Sequence, residues 1–139
     1  MSSFTRTIPG SKRESLVEKI LSRSDHFIPI RIHPNRARSG DFIYLVFRNR
    51  IVGRARIKSI YPVNAEVPAH KELYPDWANW AIQYQGSWEE PPREIPFQGH
   101  QGIQYLETNS LAHLDSEEWK ARQTLTTADA EDGAADLKR

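Results

Sequence analysis

The residues best suited to chemistry lie in one stretch of the chain, 74–105. It contains three of the four tryptophans, Trp77, Trp80 and Trp88, and the glycine-rich run PFQGHQG at 96–102. Indole rings present large flat faces, and glycine lets the backbone approach another group closely. Flat rings beside such a backbone and amide side chains suit a pocket for a planar, hydrogen-bonding ligand such as a nucleobase. The same aromatic residues could equally fill the core of a small β protein.

Catalytic and metal-binding motifs are largely missing from the sequence. The five histidines show no close ligand spacing and there is no cysteine, so neither a zinc site nor a cysteine nucleophile is expected. The Gly-x-x-x-x-Gly-Lys and Gly-x-Ser-x-Gly motifs are also missing. A general base would have to be Asp41, Glu89, Glu90 or His100, and Asp41 at the start of a strand is more typical of a backbone hydrogen-bond acceptor. We expect no metal and no cofactor, and favour a binding protein over an enzyme.

The composition predicts one globular domain. The chain has 139 residues, of which 27% are charged and 38% hydrophobic, values typical of a globular protein with its own core. No apolar run approaches the roughly 18 residues that a membrane span requires. The N-terminal sequence lacks the apolar core of a secretory signal. We therefore expect a cytoplasmic monomer without membrane contact.

Charge is distributed unevenly along the chain. Residues 1–58 carry 13 Lys+Arg and 4 Asp+Glu, a balance of +9, whereas residues 59–139 carry 6 and 14, a balance of −8. A basic first half favours a surface that binds a polyanion such as nucleic acid. The alternative is that the two halves neutralise each other across the fold, through surface ion pairs that contribute little stability.

The first part of the sequence predicts an arm, a helix and an edge strand. Residues 1–10 are expected to form an irregular arm. Ser11 and Glu14 match a capping box, and an apolar stripe at helical spacing follows, which predicts a helix over 12–23. Segment 27–33 is typical of a short strand, and its proline indicates the edge of a sheet.

A β-hairpin is predicted over 41–61. Segment 41–48 is apolar on both faces, as a central strand is, and a short turn leads to a returning strand over 51–61. Because strand side chains alternate, the apolar and small residues of the second strand are expected on one face, namely Ile51, Gly53, Ala55 and Ile57. Its basic residues are expected together on the other, exposed face, namely Arg50, Arg54, Arg56 and Lys58. Such a row is typical of a solvated strand or of a strip that contacts phosphates.

The remaining segments predict further short strands at 80–84, 94–97 and 103–106, and a brief helix that begins at Asp115. Residues 123–139 are expected to be a disordered acidic tail. Together these elements predict an α+β fold with one domain over 11–122. The domain is expected to be a small mixed-strand pseudo-barrel with peripheral helices.

The segment SGDFIYLVFRNRIVGRA at 39–55 resembles the PUA-like superfamily, in its EVE, YTH and ASCH branch, with EVE domains favoured. Those domains open a central strand with Gly-Asp, here at 40–41, and carry Val/Ile-Gly in the next strand. A Trp-rich strand and a Pro-x-x-Gly-Gln-Gly-like turn are also similar to segments 80–84 and 96–102. The likeness spans 27–106. The ASCH signature Gly-x-Lys-Thr-x-Glu-x-Arg is missing, which does not favour the hydrolase activity of that subgroup.

The resemblance implies a pseudo-barrel that receives a single, often modified base in an aromatic pocket with a basic rim. An unstacked base regains stacking from aromatic faces, while polar groups read its edge. By this resemblance the candidates for base contact are Ser39, Asp41, Trp77, Trp80, Trp88, Phe97, Gln98, Gly99 and Gln101. The candidates for phosphate contact are Arg36, Arg38, Arg54 and Arg56.

Three functions stay open at this point. The favoured one is a non-catalytic module that binds a single, modified base of RNA or DNA. The first alternative is an enzyme that acts on a small modified nucleoside or base, as an ASCH-like hydrolase would. The second is a protein-interaction module with an exposed aromatic surface.

Overall fold

The computed structural model describes residues 2–10, 14–63, 75 and 77–122. The predictions for Ser11 and for 123–139 lie outside these residues. The described residues form a seven-stranded sheet, one α-helix, α1 (Glu14–Leu21), and two 3-10 helices, Leu106–Asn109 and Ala112–Ser116. The strands are β1 (Phe4–Ile8), β2 (Phe27–Ile30), β3 (Phe42–Phe47), β4 (Arg50–Pro62), β5 (Trp80–Glu90), β6 (Ile103–Tyr105) and β7 (Lys120–Ala121).

The sheet has the order β2-β5-β4-β3-β1-β6, and β7 pairs with β5. β1 runs parallel to β3 and antiparallel to β6, and the other pairings are antiparallel. This is a mixed-strand half-barrel with one helix, which confirms the predicted α+β fold class. The irregular conformation expected for 1–10 is wrong, because Phe4 and Ile8 are buried and β1 satisfies the backbone of two neighbouring strands.

Two apolar cores lie on opposite faces of β3. The large core includes α1 and contains, among others, Phe4, Leu21, Ile57, Tyr84 and Trp88. The small core includes the second 3-10 helix and contains, among others, Phe42, Tyr44, Ile51, Leu114 and Trp119. All six residues of β3 are buried, and they alternate between the two cores. The prediction of a central strand at this place is confirmed.

A β-bulge changes which side chains of β4 share a face. The register between β3 and β4 shifts at Val52, which faces no residue of β3. Ile51 therefore belongs to the small core, whereas Ala55 and Ile57 belong to the large core. The common face predicted for these residues is confirmed for Gly53, Ala55 and Ile57, which face the large core. It is wrong for Ile51, because the extra residue reverses the alternation there. Arg54 lies on the opposite face, as predicted, but the small core covers that face.

Helix α1 lies within the predicted range 12–23 and buries Val17 and Leu21 against the sheet. Its close approach depends on Gly53 of β4. A Cβ atom at Gly53 would lie 2.8 Å from Cδ2 of Leu21, so a larger residue would force the Leu21 side chain or the helix to shift. No helix of the described residues is long and apolar enough to cross a membrane.

The structure corrects several predicted boundaries. β2 ends at Ile30 rather than at 33, and it lies at the edge of the sheet as its proline indicated. β5 continues beyond 84 to Glu90, since Gly86 takes a φ of 74° and the register shifts nearby. The strand expected at 94–97 is reduced to one bridge between Arg50 and Pro96. The helix expected from Asp115 is wrong, because a 3-10 helix ends there and β7 follows.

We expect β1 to be essential for stability rather than peripheral. Phe4 is fully buried in the large core, so Phe4→Ala should lower the free energy of unfolding by about 3–5 kcal/mol. Leu16→Ala is the matched control, because Leu16 is 39% exposed on α1 and its loss should cost about 0.5 kcal/mol. Chemical denaturation monitors both variants. Equal stability of the two would contradict the position of β1 inside the sheet.

Candidate functional site

A cleft of about 480 Å³ opens where β1, β2 and β6 meet the loop 96–102. Its polar and aromatic lining consists of Arg6, Thr7, Arg31, Trp77, His100 and Gln101. Ile30, Ile32 and Ile103 add apolar surface beside these residues. None of the described residues that line this cleft is an Asp or a Glu. The cleft therefore combines positive charge with an aromatic face.

Trp77 provides that aromatic face. Trp77 is 40% exposed, so part of this residue is accessible to a ligand. The guanidinium of Arg6 lies over the ring, with Cζ 5.3 Å from the ring centroid. Arg6 is held there by Nη1, which donates a hydrogen bond of 2.6 Å to the carbonyl oxygen of Pro29 in β2. A cation over an aromatic face is attractive, so this pair fixes one wall of the cleft.

Hydrogen bonds to β1 and to the β3–β4 turn hold the loop 96–102 in place. The amide of Gly99 donates to Oδ1 of Asn49 at 3.0 Å, and the amide of His100 donates to Oγ1 of Thr7 at 3.1 Å. Nε2 of His100 lies 2.7 Å from Oγ1 of Thr5. These contacts present the exposed side chain of Gln101 to the cleft, where its amide can both donate and accept.

The same loop separates the cleft from a second hollow of about 540 Å³. Phe97, Gln98 and Gly99 line the second hollow, and His100 lines both. Phe97 itself is largely buried in the small core. The predicted base-contacting residues of this loop therefore divide, with Gln101 beside Trp77 and the other three on the opposite side.

The three tryptophans of the predicted aromatic cage do not converge. Trp88 is completely buried in the large core, so it offers no face to a ligand. Trp80 is half-buried against the same core, and its ring centroid lies 4.3 Å from that of His33. Both Trp80 and Trp88 belong to β5, and the pairing of this strand with β2 and β4 fixes their positions. Trp77, which precedes the strand, is the one that lines the cleft.

Asp41 and Ser39 lie outside the cleft. The buried carboxylate of Asp41 accepts hydrogen bonds from the backbone amides of Arg38, at 2.8 Å, and Ser2, at 3.2 Å. The prediction that Asp41 accepts backbone hydrogen bonds is confirmed. Gly40, which has a φ of 95°, permits the turn that presents this carboxylate. Ser39 is exposed beside it.

The arginines expected to contact phosphates do not form one rim. Arg36 pairs with Glu107 and lies over the ring of Tyr105. Arg38 donates to the carbonyl oxygen of Asn35 at 2.7 Å. The exposed Arg56 donates to the carbonyl oxygen of Gly40 at 2.8 Å and lies over Phe42. Arg54 is buried, so the expectation of an exposed Arg54 is wrong.

Arg54 is the centre of a buried polar network. Its Nε donates to Glu89 at 2.8 Å, and its Nη1 and Nη2 donate to the carbonyl oxygens of Leu114 and Glu117 at 2.7 and 3.0 Å. The hydroxyl of Tyr44 donates to the carboxylate of Asp115 at 2.7 Å beside it. Burial, followed by this hydrogen bond, raises the pKa of Tyr44 well above its usual range. The hydroxyl therefore remains protonated and keeps donating.

Sequence reasoning missed Arg6, Thr7 and Arg31 as parts of the cleft. Arg6 and Thr7 were assigned to an irregular arm, where a side chain has no fixed position. The available signal was the content of aromatic and β-branched residues in this segment, namely Phe4, Thr5, Thr7 and Ile8, since such residues are enriched in strands.

A half-barrel fold of this kind also occurs in solved structures of other proteins. The crystal structure of ASCH from Zymomonas mobilis shares it with a TM-score of 0.56 and 14% identity, over 88% of this chain and 97% of that chain. Structures of two mutant forms of that protein match with TM-scores of 0.53 and 0.52. No family model and no curated protein match the chain. These matches do not confirm the preference for EVE domains, and they extend to the fold alone.

We expect Arg54 to be structural and its neighbour Arg56 to be dispensable for folding. Arg54→Ala leaves Glu89 and two carbonyl oxygens without their donor, which should lower the free energy of unfolding by about 3–5 kcal/mol. Arg56→Ala removes an exposed arginine of the same strand and should cost about 1 kcal/mol or less. Thermal and urea unfolding measure both. A loss of nucleic-acid binding by folded Arg54→Ala, without a loss of stability, would contradict this assignment.

Proposed function

We propose that this protein binds nucleic acid and receives a single base in the cleft between Trp77 and Gln101. The observation that carries the proposal is an exposed indole face beside a side-chain amide and two arginines, in a cleft that no described carboxylate lines. A flat ring suits any base, an amide can read a base edge, and positive charge attracts the phosphate backbone. The PUA-like fold is compatible with this function.

A third hollow, which is larger than the cleft, is a weaker candidate. It has a volume of about 580 Å³ and lies between α1 and the segment after β5. Glu14, Glu18, Glu90 and Glu94 line it together with three arginines, and no tryptophan is among its described lining residues. A polyanion would meet repulsion there. Charge and aromatic content therefore favour the smaller cleft over the larger hollow.

An enzyme remains the second candidate because His100 also lines the cleft. Its ring nitrogens already have partners, however, since Nε2 lies 2.7 Å from Thr5 Oγ1 and Nδ1 lies 3.2 Å from the carbonyl oxygen of Gln101. A general base needs a nitrogen within reach of the substrate proton. The present hydrogen bonds of His100 therefore favour binding over catalysis. A protein-interaction module would use the same exposed Trp77 and Ile32.

We expect Trp77→Ala to weaken binding of a short single-stranded oligonucleotide by about 5- to 150-fold, because one base stack contributes about 1–3 kcal/mol. Trp77→Phe should lose less. Leu16→Ala, which removes an exposed apolar residue remote from the cleft, is the control. Fluorescence anisotropy measures affinity for RNA and DNA oligonucleotides with and without an abasic position. Wild-type affinity of folded Trp77→Ala, or equal affinity for an oligonucleotide without any bases, would exclude base stacking on Trp77.

Affinity should also fall as salt rises. Each phosphate contact to a single strand contributes a slope of about −0.7 in a plot of log K against log salt. Arg31→Ala removes an exposed arginine of the cleft and should make the slope shallower, whereas Arg48→Ala should not, because Arg48 pairs with Glu14 on another surface. Titrations at several salt concentrations give the slopes. Binding that does not depend on salt would exclude phosphate contacts by the arginines of the cleft.

A further inference from the structure

We propose that the guanidinium of Arg6 is an anion subsite of the cleft, and that the base stacked on Trp77 belongs to a nucleotide whose phosphate binds there. This inference rests on the proposed function and adds the chemical class of the ligand. The ligand would be a nucleotide rather than a free base or a nucleoside, because its phosphate would bind beside the ring of Trp77.

The position of Arg6 makes its charge unusual. It lies in the middle of β1, opposite Leu45 of β3 and Ile103 of β6, and it is half-buried. A cation removed from water requires a compensating partner. Arg6 therefore needs an anion more than an exposed arginine does.

No anion of the protein meets this need among the residues that the structure describes. Glutamates pair with the arginines at 36, 48, 54, 93 and 122, and none of these pairs includes Arg6. The other described arginines that lack an ion pair, at 23, 31, 38, 50 and 56, are all exposed. Burial lowers the pKa of Arg6, as expected where lost hydration is not replaced. The group nevertheless stays charged, because arginine does not deprotonate in proteins.

The guanidinium also has unused hydrogen-bond donors. Of its five N–H groups, one on Nη1 donates to the carbonyl oxygen of Pro29. Within the described part of the chain, Nε and Nη2 have no acceptor. A planar guanidinium with free donors matches the oxygens of a phosphate and can bind two of them at once.

The surroundings of Arg6 suit a phosphate next to a base. Arg6 lies over the ring of Trp77, so an anion bound to its free edge would be adjacent to a base stacked on that ring. Thr7 and Arg31 line the same cleft and add a hydroxyl donor and a second cation. A volume of about 480 Å³ lies within the range of roughly 300–1,000 Å³ typical of small-ligand pockets.

The experiment compares ligands that differ by one phosphate. Isothermal titration calorimetry of the whole protein measures the four ribonucleosides, their 5′- and 3′-monophosphates, and ribose 5-phosphate as a ligand without a base. For the preferred base, we expect a monophosphate to bind about tenfold or more tightly than the nucleoside. The two phosphate positions and a dinucleotide distinguish a terminal phosphate from one within a strand.

Arg6→Met should reduce the ratio of monophosphate to nucleoside affinity to about one. Arg6→Lys keeps the charge without the planar donors and should give an intermediate ratio. Arg48→Met is the matched control and should leave the ratio unchanged, because Arg48 is exposed and remote from the cleft. Circular dichroism establishes that each variant is folded. If Arg6→Met does not fold, the affinity ratios of the wild type and of Arg6→Lys still test whether Arg6 binds the phosphate.

The outcomes separate the two proposals. Equal binding of nucleoside and monophosphate by the wild type would overturn the anion subsite and leave base binding intact. Equal binding of ribose 5-phosphate and the monophosphate would instead overturn base stacking and leave the subsite. A ratio that survives in Arg6→Met would place the phosphate elsewhere. Asp76 lies outside the described residues, so the variant Asp76→Asn is also measured. If this variant binds the monophosphate more tightly than the nucleoside and the wild type does not, Asp76 neutralises Arg6. That result would overturn the proposal. Binding of none of these ligands would overturn both.

Discussion

The buried guanidinium of Arg54 is the interaction on which the rest of the structure depends. It projects from β4 into the small core and donates to Glu89 of β5, to a carbonyl oxygen of the second 3-10 helix and to the carbonyl oxygen of Glu117 just after that helix. The rings of Phe42 and Trp119 lie against it. One cation thus joins two strands to a segment about 60 positions later in the chain. Without its donors, the carbonyl oxygen of Leu114 would keep only the amide of Glu117, at 3.3 Å, and the carboxylate of Glu89 would lose its cation, which is costly for a group removed from water.

Arg54 and Arg6 lie in the same sheet but differ in how completely their guanidinium groups are hydrogen-bonded and paired. Both lie on strands and both are removed from water to some degree. Among the described residues, Arg54 has a carboxylate and several carbonyl groups around it, whereas Arg6 has one carbonyl and one aromatic ring. A fully satisfied buried charge fixes a fold. A partly satisfied one is a source of binding energy for a ligand, because the desolvation cost has already been met during folding.

The sequence indicated the parts of this fold that depend on local pattern. The wholly apolar run that became β3, the stripe of α1 and the proline at the edge of β2 were all predicted, since each follows from a rule of neighbouring residues. The interior position of β1 was not, because pairing with β3 and β6 is decided by residues far away in the chain. The bulge at Val52 likewise reversed the alternation at Ile51, and the second 3-10 helix with Trp119 covers the face that carries Arg54. Of the tryptophans at 77, 80 and 88, the last two belong to β5 and pack in or against the large core, whereas Trp77 lies before β5 and lines the cleft. This difference depends on the sheet and not on the local sequence.

The insertion of β1 between β3 and β6 has a consequence for the order of events during synthesis. Phe4 pairs with both Ile43 and Tyr105, so the first strand cannot complete its ladders until the chain is made beyond position 105. Contacts of such long sequence separation form late and slowly. The cleft is built from that same strand and from the loop just before β6, and hence arises at the last stage of assembly. A nascent or truncated chain would lack the cleft, and any compound that binds the cleft would favour the completely folded chain over the unfolded one.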